Sequence, residues 1–540
     1  MPYVGNRNTV FTTFTTSDAN VTDDLTVTDD ATIGGSLAVS GDYSSTTAGT
    51  SNLRLGVNAG NSIASGGNYN VTIGDEAGTA ITTGDNNVFI GYASGDATND
   101  GKDNVAIGHQ ALSANAGDDN VAIGKDALLV NVKNQNIAIG SHALNSDVNG
   151  GTSVAVGHNA LAAQAPATAV DMLNTAVGNS AGMSVTTGTE NTLIGGLSGD
   201  AITTGIRNVA VGSYALSTNV AGDQSVAVGH GALFTQNPAT NADMNNTAVG
   251  HDAGNQITIG TNNTLIGALA GDAFINVNYN VAVGSSALSA DTMGSRSTAV
   301  GHAALQTQNL TTATAANNTA IGFEAGKSIT TGTNNTIVGT NAGDGITDGL
   351  TNTFIGYNLA EASNDVSASI CIGSNITSGT ANKVRIGTAN GLAELTLDGS
   401  DTSWAASSDS RLKKDIADST VGLGFINDLR PVTFKWNLKS AIEDAFPLLV
   451  EEGGQWYDKD SDKPIYGEGK AHHGFIAQEV KTVIDNHSDI ADGHNIWSED
   501  AHGIQQLAPS ALVPMLVKAI QELTTLNTEL TARVKTLEDG

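Results

Sequence analysis

Small and apolar residues alternate in a five-residue phrase that recurs along most of the chain, for example "NVTIG" at 70–74 and "NVFIG" at 87–91. β-Branched residues fill key places in the phrase, which is typical of a short strand. A second segment, "xxAL" or "xxAG", follows each closing glycine, and Asn, Asp, Gly and Thr occupy the gaps as tight turns require. The pattern predicts two short strands and two turns in every repeat.

The closing glycines recur at regular intervals along the chain. Most neighbours are separated by seventeen positions and three pairs by twenty-one, and each long interval closes a block of four coils. A repeat of this size predicts a solenoid in which each repeat is one coil of a parallel β-roll. The glycines are Gly56, Gly74, Gly91, Gly108, Gly124, Gly140, Gly157, Gly178, Gly195, Gly212, Gly229, Gly250, Gly267, Gly284, Gly301, Gly322, Gly339, Gly356, Gly373 and Gly387.

The core of this β-roll is expected to be thin. Its apolar side chains are mostly Val, Ile, Leu and Ala, and aromatic residues make up 4% of the chain. We therefore expect a single coil to be too thin to bury a core alone, and three chains to pack their coils around a common axis. The repeats between 53 and 387 also resemble the head of trimeric autotransporter adhesins, a left-handed β-roll with a similar "N-x-x-A-I-G-x-x-A" phrase.

The three long coils and a set of histidines offer candidate contact surfaces. The extra residues of each long coil predict a bulge at the same corner every fourth coil, either as a ligand-binding ridge or as a neutral loop copied with the block. The histidines each follow a closing glycine and are taken as solitary surface residues of a turn, so no metal site is predicted: His109, His158, His230, His251 and His302.

The two ends differ from the repeats. Residues 1–17 are interpreted as a leader that attaches to a particle, and 18–50, with apolar residues every six positions, as a thin β shaft. The β-roll covers 51–392, and a linker covers 393–407. Residues 408–540 form a separate domain with an ordinary core, because all four tryptophans of the chain lie beyond 392.

A heptad pattern closes this domain at about 513–537. Apolar residues recur at alternating spacings of three and four, as in a coiled-coil seam, with one asparagine setting the register. The pattern predicts oligomerisation and is compatible with two strands or with three. The core positions are Val513, Leu516, Ile520, Leu523, Asn527, Leu530, Val534 and Leu537.

Charge and composition narrow the partners. The chain has 23 basic and 54 acidic residues, a net charge of −31, which argues against nucleic acid as a partner. We see no secretion signal and no apolar run long enough to span a bilayer, so we expect synthesis in a cytoplasm without membrane insertion. The single cysteine, Cys371, excludes a disulfide framework and is interpreted as a small packed residue. No cofactor is predicted.

A candidate catalytic pair lies where the composition changes. The segment "SDSRLK" places Ser408 and Lys413 five positions apart. A serine hydroxyl becomes a nucleophile when a base takes its proton, and a lysine can be that base when burial lowers its pKa. The motif alone also fits an ordinary turn or helix cap.

The tail as a whole is more specific. "SDSRLKKDI", "INDLRPVTFKW", "HHGFIAQEV" and "LVKAIQEL" occur in this order and resemble the intramolecular chaperone, auto-processing domain of phage tailspikes, endosialidases and related fibres. The resemblance implies that the domain trimerises, drives the folding of the upstream β-structure and then cuts itself off. It makes Ser408 and Lys413 the catalytic dyad and places the cut beside Ser408, between Ser408 and Asp409. Arg411 matches the motif without an assigned chemical step.

Three functions follow as hypotheses. The first is a homotrimeric phage tail fibre that joins the tail or baseplate through its N-terminus and binds a host-surface glycan or protein. This fibre would be located in the virion tail, after assembly in the host cytoplasm. The alternatives are a tailspike that degrades polysaccharide, which needs two carboxylates across a sugar, and a trimeric cell-surface adhesin. The enzymatic step predicted for the first is a single self-cleavage by a serine peptidase.

Overall fold

The chain is described by a computed structural model for residues 48–360, 365–377, 380–396, 414, 416–438, 470–488, 490, 496–499 and 505–540. It divides into two compact units, Met1–Ala406 and Ser407–Gly540. The predicted leader, nearly all of the predicted shaft and most of the predicted linker lie outside the described residues.

The first unit is a parallel β-solenoid, which confirms the predicted fold. Its strands hydrogen-bond in sequence order within one 21-stranded sheet. The last strand, Gly391–Thr396, is antiparallel to Lys383–Thr388 and ends the series. The parallel strands are Leu53–Leu55, Val71–Ile73, Val88–Ile90, Val105–Ile107, Val121–Ile123, Ile137–Ile139, Val154–Val156, Thr175–Val177, Thr192–Ile194, Val209–Val211, Val226–Val228, Thr247–Val249, Thr264–Ile266, Val281–Val283, Thr298–Val300, Thr319–Ile321, Thr336–Val338, Thr353–Tyr357, Ile370–Ser374 and Lys383–Thr388.

Each ordinary coil has one strand and not the predicted two. The "xxAL" segment folds as a series of turns, and its leucine takes a left-handed conformation, with φ of 55° at Leu112 and 50° at Leu128. A β-strand requires a negative φ, so this segment cannot extend the sheet. The apolar alternation was correct for burial, since both leucines are fully buried, but it did not distinguish a strand from a turn.

The interior of the solenoid is buried within a single chain, so the expectation that one coil is too thin to bury a core is wrong. The central residue of each three-residue strand from Val71–Ile73 onward is buried, as with Ala106 and Ala122, which stack in register. Leucine, isoleucine and phenylalanine from the turns and from some strands fill the remaining space. One continuous cluster of buried residues runs from Ile63 to Ile376 and includes Cys371.

The closing glycines allow the coils to stack. Gly195 has φ of 133°, a conformation that favours glycine, and a Cβ there would lie 2.6 Å from the carbonyl carbon of Gly212 in the next coil. A side chain at this position would collide with backbone that has no freedom to move. The spacing of these glycines therefore sets the spacing of the coils.

A ladder of buried asparagines runs beside the sheet. The backbone N–H of Asn87 donates to Asn70 Oδ1 at 3.0 Å, and Asn104 repeats the bond to Asn87 at 3.0 Å. The Asn87 amide also donates to the Gly101 carbonyl at 2.9 Å. These bonds satisfy backbone groups at the corner where the chain enters the sheet. The first residue of the phrase is therefore a structural requirement.

The long coils add a second pair of strands at one corner. Their extra residues lie against the preceding coil and do not form a free loop. The added parallel pairs are Gly150–Gly151 with Val170–Asp171, Gly222–Asp223 with Ala242–Asp243, and Gly294–Ser295 with Thr314–Ala315.

The second unit is small and contains both helices and strands. Helix α1 is Leu423–Asp428, α2 is Ala477–Asn486 and the terminal helix α3 is Val513–Glu538. Strand Val432–Phe434 pairs with His472–Gly474, and Trp497–Glu499 pairs with Gln505–Leu507, both antiparallel. A short 3-10 helix, Pro509–Leu512, leads into α3. The predicted terminal helix is confirmed.

Within the described part of the chain, no helix has both the length and the apolar character that crossing a membrane requires.

Candidate functional site

The predicted catalytic pair cannot be placed in space. Ser408, Asp409, Arg411 and Lys413 all lie outside the described residues, so their mutual distances and burial stay predictions. The description of this unit resumes at Lys414 and, after one residue, at Ile416. The elements that follow are the framework to which this segment is attached.

That framework has its own apolar core. Phe425 from α1, Val480 from α2 and Met515 from α3 are each at most 5% exposed and belong to the same buried cluster. His487, just after α2, packs edge-on against Phe425 with ring centroids 5.4 Å apart, and its Nε2 lies 2.8 Å from a carboxylate oxygen of Asp428. Three segments distant in sequence are thereby held together.

The quoted motifs of the tail occupy these contacts. "INDLRPVTFKW" supplies the end of α1 and one strand, and "HHGFIAQEV" supplies the partner strand and the start of α2. Arg430 from the first motif forms an ion pair with Glu479 from the second, with a hydrogen bond of 2.9 Å from its Nε. This hydrogen bond holds the pKa of Glu479 below its usual value.

The terminal helix carries an exposed apolar stripe. All eight predicted heptad positions lie on α3 and are exposed, including Ile520, Leu523 and Leu530, which are 62%, 55% and 59% exposed. Burying a leucine or isoleucine side chain stabilises by about 1.5–3 kcal/mol. A stripe of this length is therefore a strong candidate for packing against other helices. Leu526, 53% exposed, widens it beyond the predicted seam.

The first half of α3 is docked on its own domain by its other face. Met515 and Ala519 are buried there. Glu522 accepts a hydrogen bond of 2.8 Å from the backbone N–H of Leu423, the first residue of α1. The heptad pattern did not reveal this contact, because a glutamate outside the seam positions carries no sequence signal for a partner so distant in the chain.

Aromatic and histidine side chains line the corner of the solenoid that follows each strand. Tyr92, Phe323 and Tyr357 each follow a closing glycine and are about half exposed. Tyr214 and Phe234 flank a surface pocket of about 330 Å³ at the same corner. Flat, exposed rings of this kind are suited to stacking on a ligand.

The histidines are not solitary, which corrects the sequence interpretation. His109 packs on Tyr92 with ring centroids 5.3 Å apart. His230 stacks on His251 of the next coil with centroids 5.4 Å apart. The long interval between these two hid the fact that they occupy neighbouring coils.

A buried polar cluster accompanies two of the long coils. Gln164 donates to Asp147 Oδ2 at 2.7 Å, and its Oε1 accepts from the Asn174 amide at 2.9 Å. Burial raises the pKa of Asp147 to about 6, although hydrogen bonds from Gln164 and the Gly150 N–H act in the opposite direction. Burial likewise raises the pKa of Asp291, which occupies the corresponding place beside the third long coil. These clusters were not predicted from the sequence, although their residues recur at the same place in two of the four-coil blocks.

Comparisons with known proteins identify the C-terminal part. Residues 408–489 match the peptidase family described as "chaperone of endosialidase". No curated protein and no solved structure matches the chain. The matched segment begins at Ser408, directly after the first residue of the second compact unit, and includes α1, α2 and the strand pair between them. The protein therefore combines a β-solenoid with a C-terminal chaperone-of-endosialidase domain.

Proposed function

We propose that this protein is a phage tail fibre subunit whose C-terminal domain is an intramolecular chaperone. The observation that carries the proposal is the chaperone-of-endosialidase match at 408–489, which starts next to the boundary between the two units. A folding chaperone in the same chain as a β-solenoid has an evident task, because non-local strand pairing is slow and exposes aggregating edges.

The terminal helix would join three chains. Its exposed stripe provides the apolar surface, and Asn527 within it would set the register. Joining the chains raises the effective concentration of the solenoid segments for one another. Because each solenoid buries its own core, the contacts between chains would fix their alignment and not complete their interiors.

The cut would follow folding. Ser408 of a neighbouring chain would attack the carbonyl of the Ser408–Asp409 bond, with neutral Lys413 taking the hydroxyl proton. Lys413 would pass that proton to the Asp409 nitrogen as the segment 409–540 leaves, and water would then hydrolyse the ester formed on the attacking Ser408. Without the domain that aligned the chains, the fibre would have no equivalent route back to the unfolded state, so its stability would be kinetic. Ser408 and Lys413 would act once per chain.

The solenoid would present the contact surface. Exposed rings at one corner, among them Tyr92, Tyr214 and Tyr357, favour a receptor of flat, polar groups such as a host glycan. The N-terminal residues would attach to the tail or baseplate, and assembly would occur in the host cytoplasm. The localisation that we propose for the finished fibre is the virion tail.

Substitutions in α3 test the oligomerising chaperone. We expect Leu523→Asp with Leu530→Asp to prevent trimer formation, because charges would occupy the centre of the apolar stripe. Analytical ultracentrifugation should show a trimer for the wild type, and monomer or aggregate for the variant. The soluble yield should fall at least several-fold.

The matched control places the same two charges on the opposite face of the same helix. Thr528→Asp with Ala532→Asp adds identical net charge at exposed positions outside the stripe, in the second half of the helix. This control should remain trimeric. A trimer with normal yield in the stripe variant would refute the proposed role of α3.

A further inference from the structure

Two histidines of successive coils lie face to face on the surface of the solenoid. His230 follows Gly229 and His251 follows Gly250, and the parallel pairing of strands Val226–Val228 and Thr247–Val249 brings the two corners together. Their rings are stacked at an interplanar angle of 12°. Both imidazoles are more than half exposed, so an ion from solvent can reach them.

A carboxylate completes the group. Asp252 Oδ2 lies 3.3 Å from His251 Nδ1, and Asp252 Oδ1 lies 3.8 Å from His230 Nδ1. One possible ligand atom from each of the three residues falls within 4.8 Å of the others. Ligand atoms around a tetrahedral Zn²⁺ are about 3.3 Å apart, given metal–nitrogen distances near 2.0 Å. Small side-chain rotations therefore suffice to reach coordination geometry.

A glycine makes room for this carboxylate. A Cβ at Gly231 would lie 2.2 Å from Asp252 Oδ1, so a larger residue there would displace the aspartate from the histidine pair. In the two other four-coil blocks the corresponding positions are Asn159 and Ala303. Among the three blocks, a glycine at this position is specific to the middle block.

Neither of the other blocks has the complete ligand set. His158 of the first block is followed in the next coil by Asn179 and Ser180. His302 of the third block stacks on Phe323 with centroids 5.2 Å apart at 13°, which is nearly the geometry of the histidine pair. The stacking itself therefore needs no metal ligand in the second position, and the second histidine is an addition of the middle block.

A second histidine cluster, around Asp126, has a lysine beside its carboxylate. Asp126 lies near both His109 and His142, but Lys125 Nζ is 3.6 Å from the same carboxylate. A lysine ammonium already supplies a positive charge there and would repel a cation. The described residues around His230 and His251 place no such lysine beside Asp252.

We propose that His230, His251 and Asp252 form a binding site for one divalent transition-metal ion per chain. Two imidazole nitrogens and one carboxylate oxygen are the protein ligands, and water fills the remaining position. This donor set suits Zn²⁺, Ni²⁺ or Cu²⁺ rather than Ca²⁺ or Mg²⁺, which prefer oxygen. The ion would link adjacent coils at this corner of the middle block.

Zinc titration of the full chain tests the site. Isothermal titration calorimetry at pH 7.5 should give one Zn²⁺ per chain for the wild type. His251→Phe recreates the stacked pair of the third block, so the fold should survive while Zn²⁺ affinity falls at least tenfold. Asp252→Asn should weaken binding in the same direction and serves as a second variant if His251→Phe misfolds. Circular dichroism establishes that each variant is folded.

The control is His302→Phe, which removes an exposed histidine from the position of the third block that is equivalent to His230. It should leave both the stoichiometry and the affinity unchanged. The proposal fails if the wild type binds no Zn²⁺ at 100 μM. It also fails if His251→Phe and Asp252→Asn bind as tightly as the wild type, or if His302→Phe weakens binding as much as they do.

Discussion

Where successive coils of the solenoid touch, the space available to individual side chains is very small. The closing glycines are separated from the next coil by less than the space a Cβ requires. Adjacent glycines are not equivalent, and the pair Gly195 and Gly196 shows the difference within one corner. Only the first has a positive φ, and the nearest atom to a Cβ on the second is Ser213 Oγ at 4.0 Å.

We expect Gly195→Ala to destabilise the solenoid by about 2–4 kcal/mol, because it adds both backbone strain and a clash with Gly212. Gly196→Ala should change stability by less than about 1 kcal/mol, since it meets neither limit. Thermal unfolding followed by circular dichroism compares the two. Equal loss of thermal stability in both variants would contradict the steric account.

The buried aspartates predict a dependence of stability on pH. The pKa of Asp147 rises from 3.8 to about 6 on folding, so the folded state binds the proton more tightly than the unfolded state. Stability from this group is therefore fully present below pH 4 and is lost as pH rises through 6. The loss at pH 7 is roughly 3 kcal/mol at most, at 1.36 kcal/mol per pKa unit.

Asp147→Asn with Asp291→Asn should remove this cost. The middle block already has Asn219 at the equivalent position, where its Oδ1 accepts from the Gly222 N–H at 2.8 Å. The variant should have a higher thermal midpoint than the wild type at pH 7.5, and the difference should shrink towards pH 4.5. A difference that stays constant between these pH values would show that the aspartates do not titrate as described.

At the scale of single residues, the sequence predicted the period of the repeat but not the polar side chains buried inside the solenoid. Closing glycines and apolar positions recur every coil, so their period is visible in a single sequence. Ser153 interrupts the asparagine ladder, and Gln164 of the same coil supplies the missing acceptor for the amide of Asn174 in the next coil. Such a replacement joins residues of different coils and leaves no local pattern. The stacked histidines were missed for the same reason.

The elements combine short strands with one long helix. A three-residue strand has no stability of its own, so each coil depends on its neighbours for hydrogen bonds and burial. The sequence predicted one strand of each coil correctly, but it took the left-handed turn at Leu112 for a second. Alternation of apolar residues reports which side chains face inward, and both conformations place Leu112 there.

The terminal helix was predicted from spacing alone. Apolar residues at alternating intervals of three and four form one stripe along a helix, and α3 has this stripe. The docking of the opposite face through Met515 and Glu522 depends on tertiary contacts that no heptad encodes. The helix therefore has one face held by its own domain and one face left for packing, as the proposed oligomer requires.

At the scale of the whole molecule, two units with different folding problems share one chain. The solenoid contacts are non-local, because each strand pairs with the strands of neighbouring coils. The second unit has a compact core drawn from α1, α2 and α3. In the function that we propose, the second unit would hold the chains together while the solenoid folds, and its removal afterwards would make the folded state persistent.

The most direct test of this account is an intact-mass spectrum of the purified wild type beside Ser408→Ala. We expect the wild type to yield a fragment that matches 409–540 together with the complementary N-terminal fragment. The variant should remain a whole chain and still form folded trimers, because its chaperone domain is unchanged apart from one hydroxyl. A wild type that stays intact while folded, or a variant that is cut at the same bond, would contradict self-cleavage by Ser408.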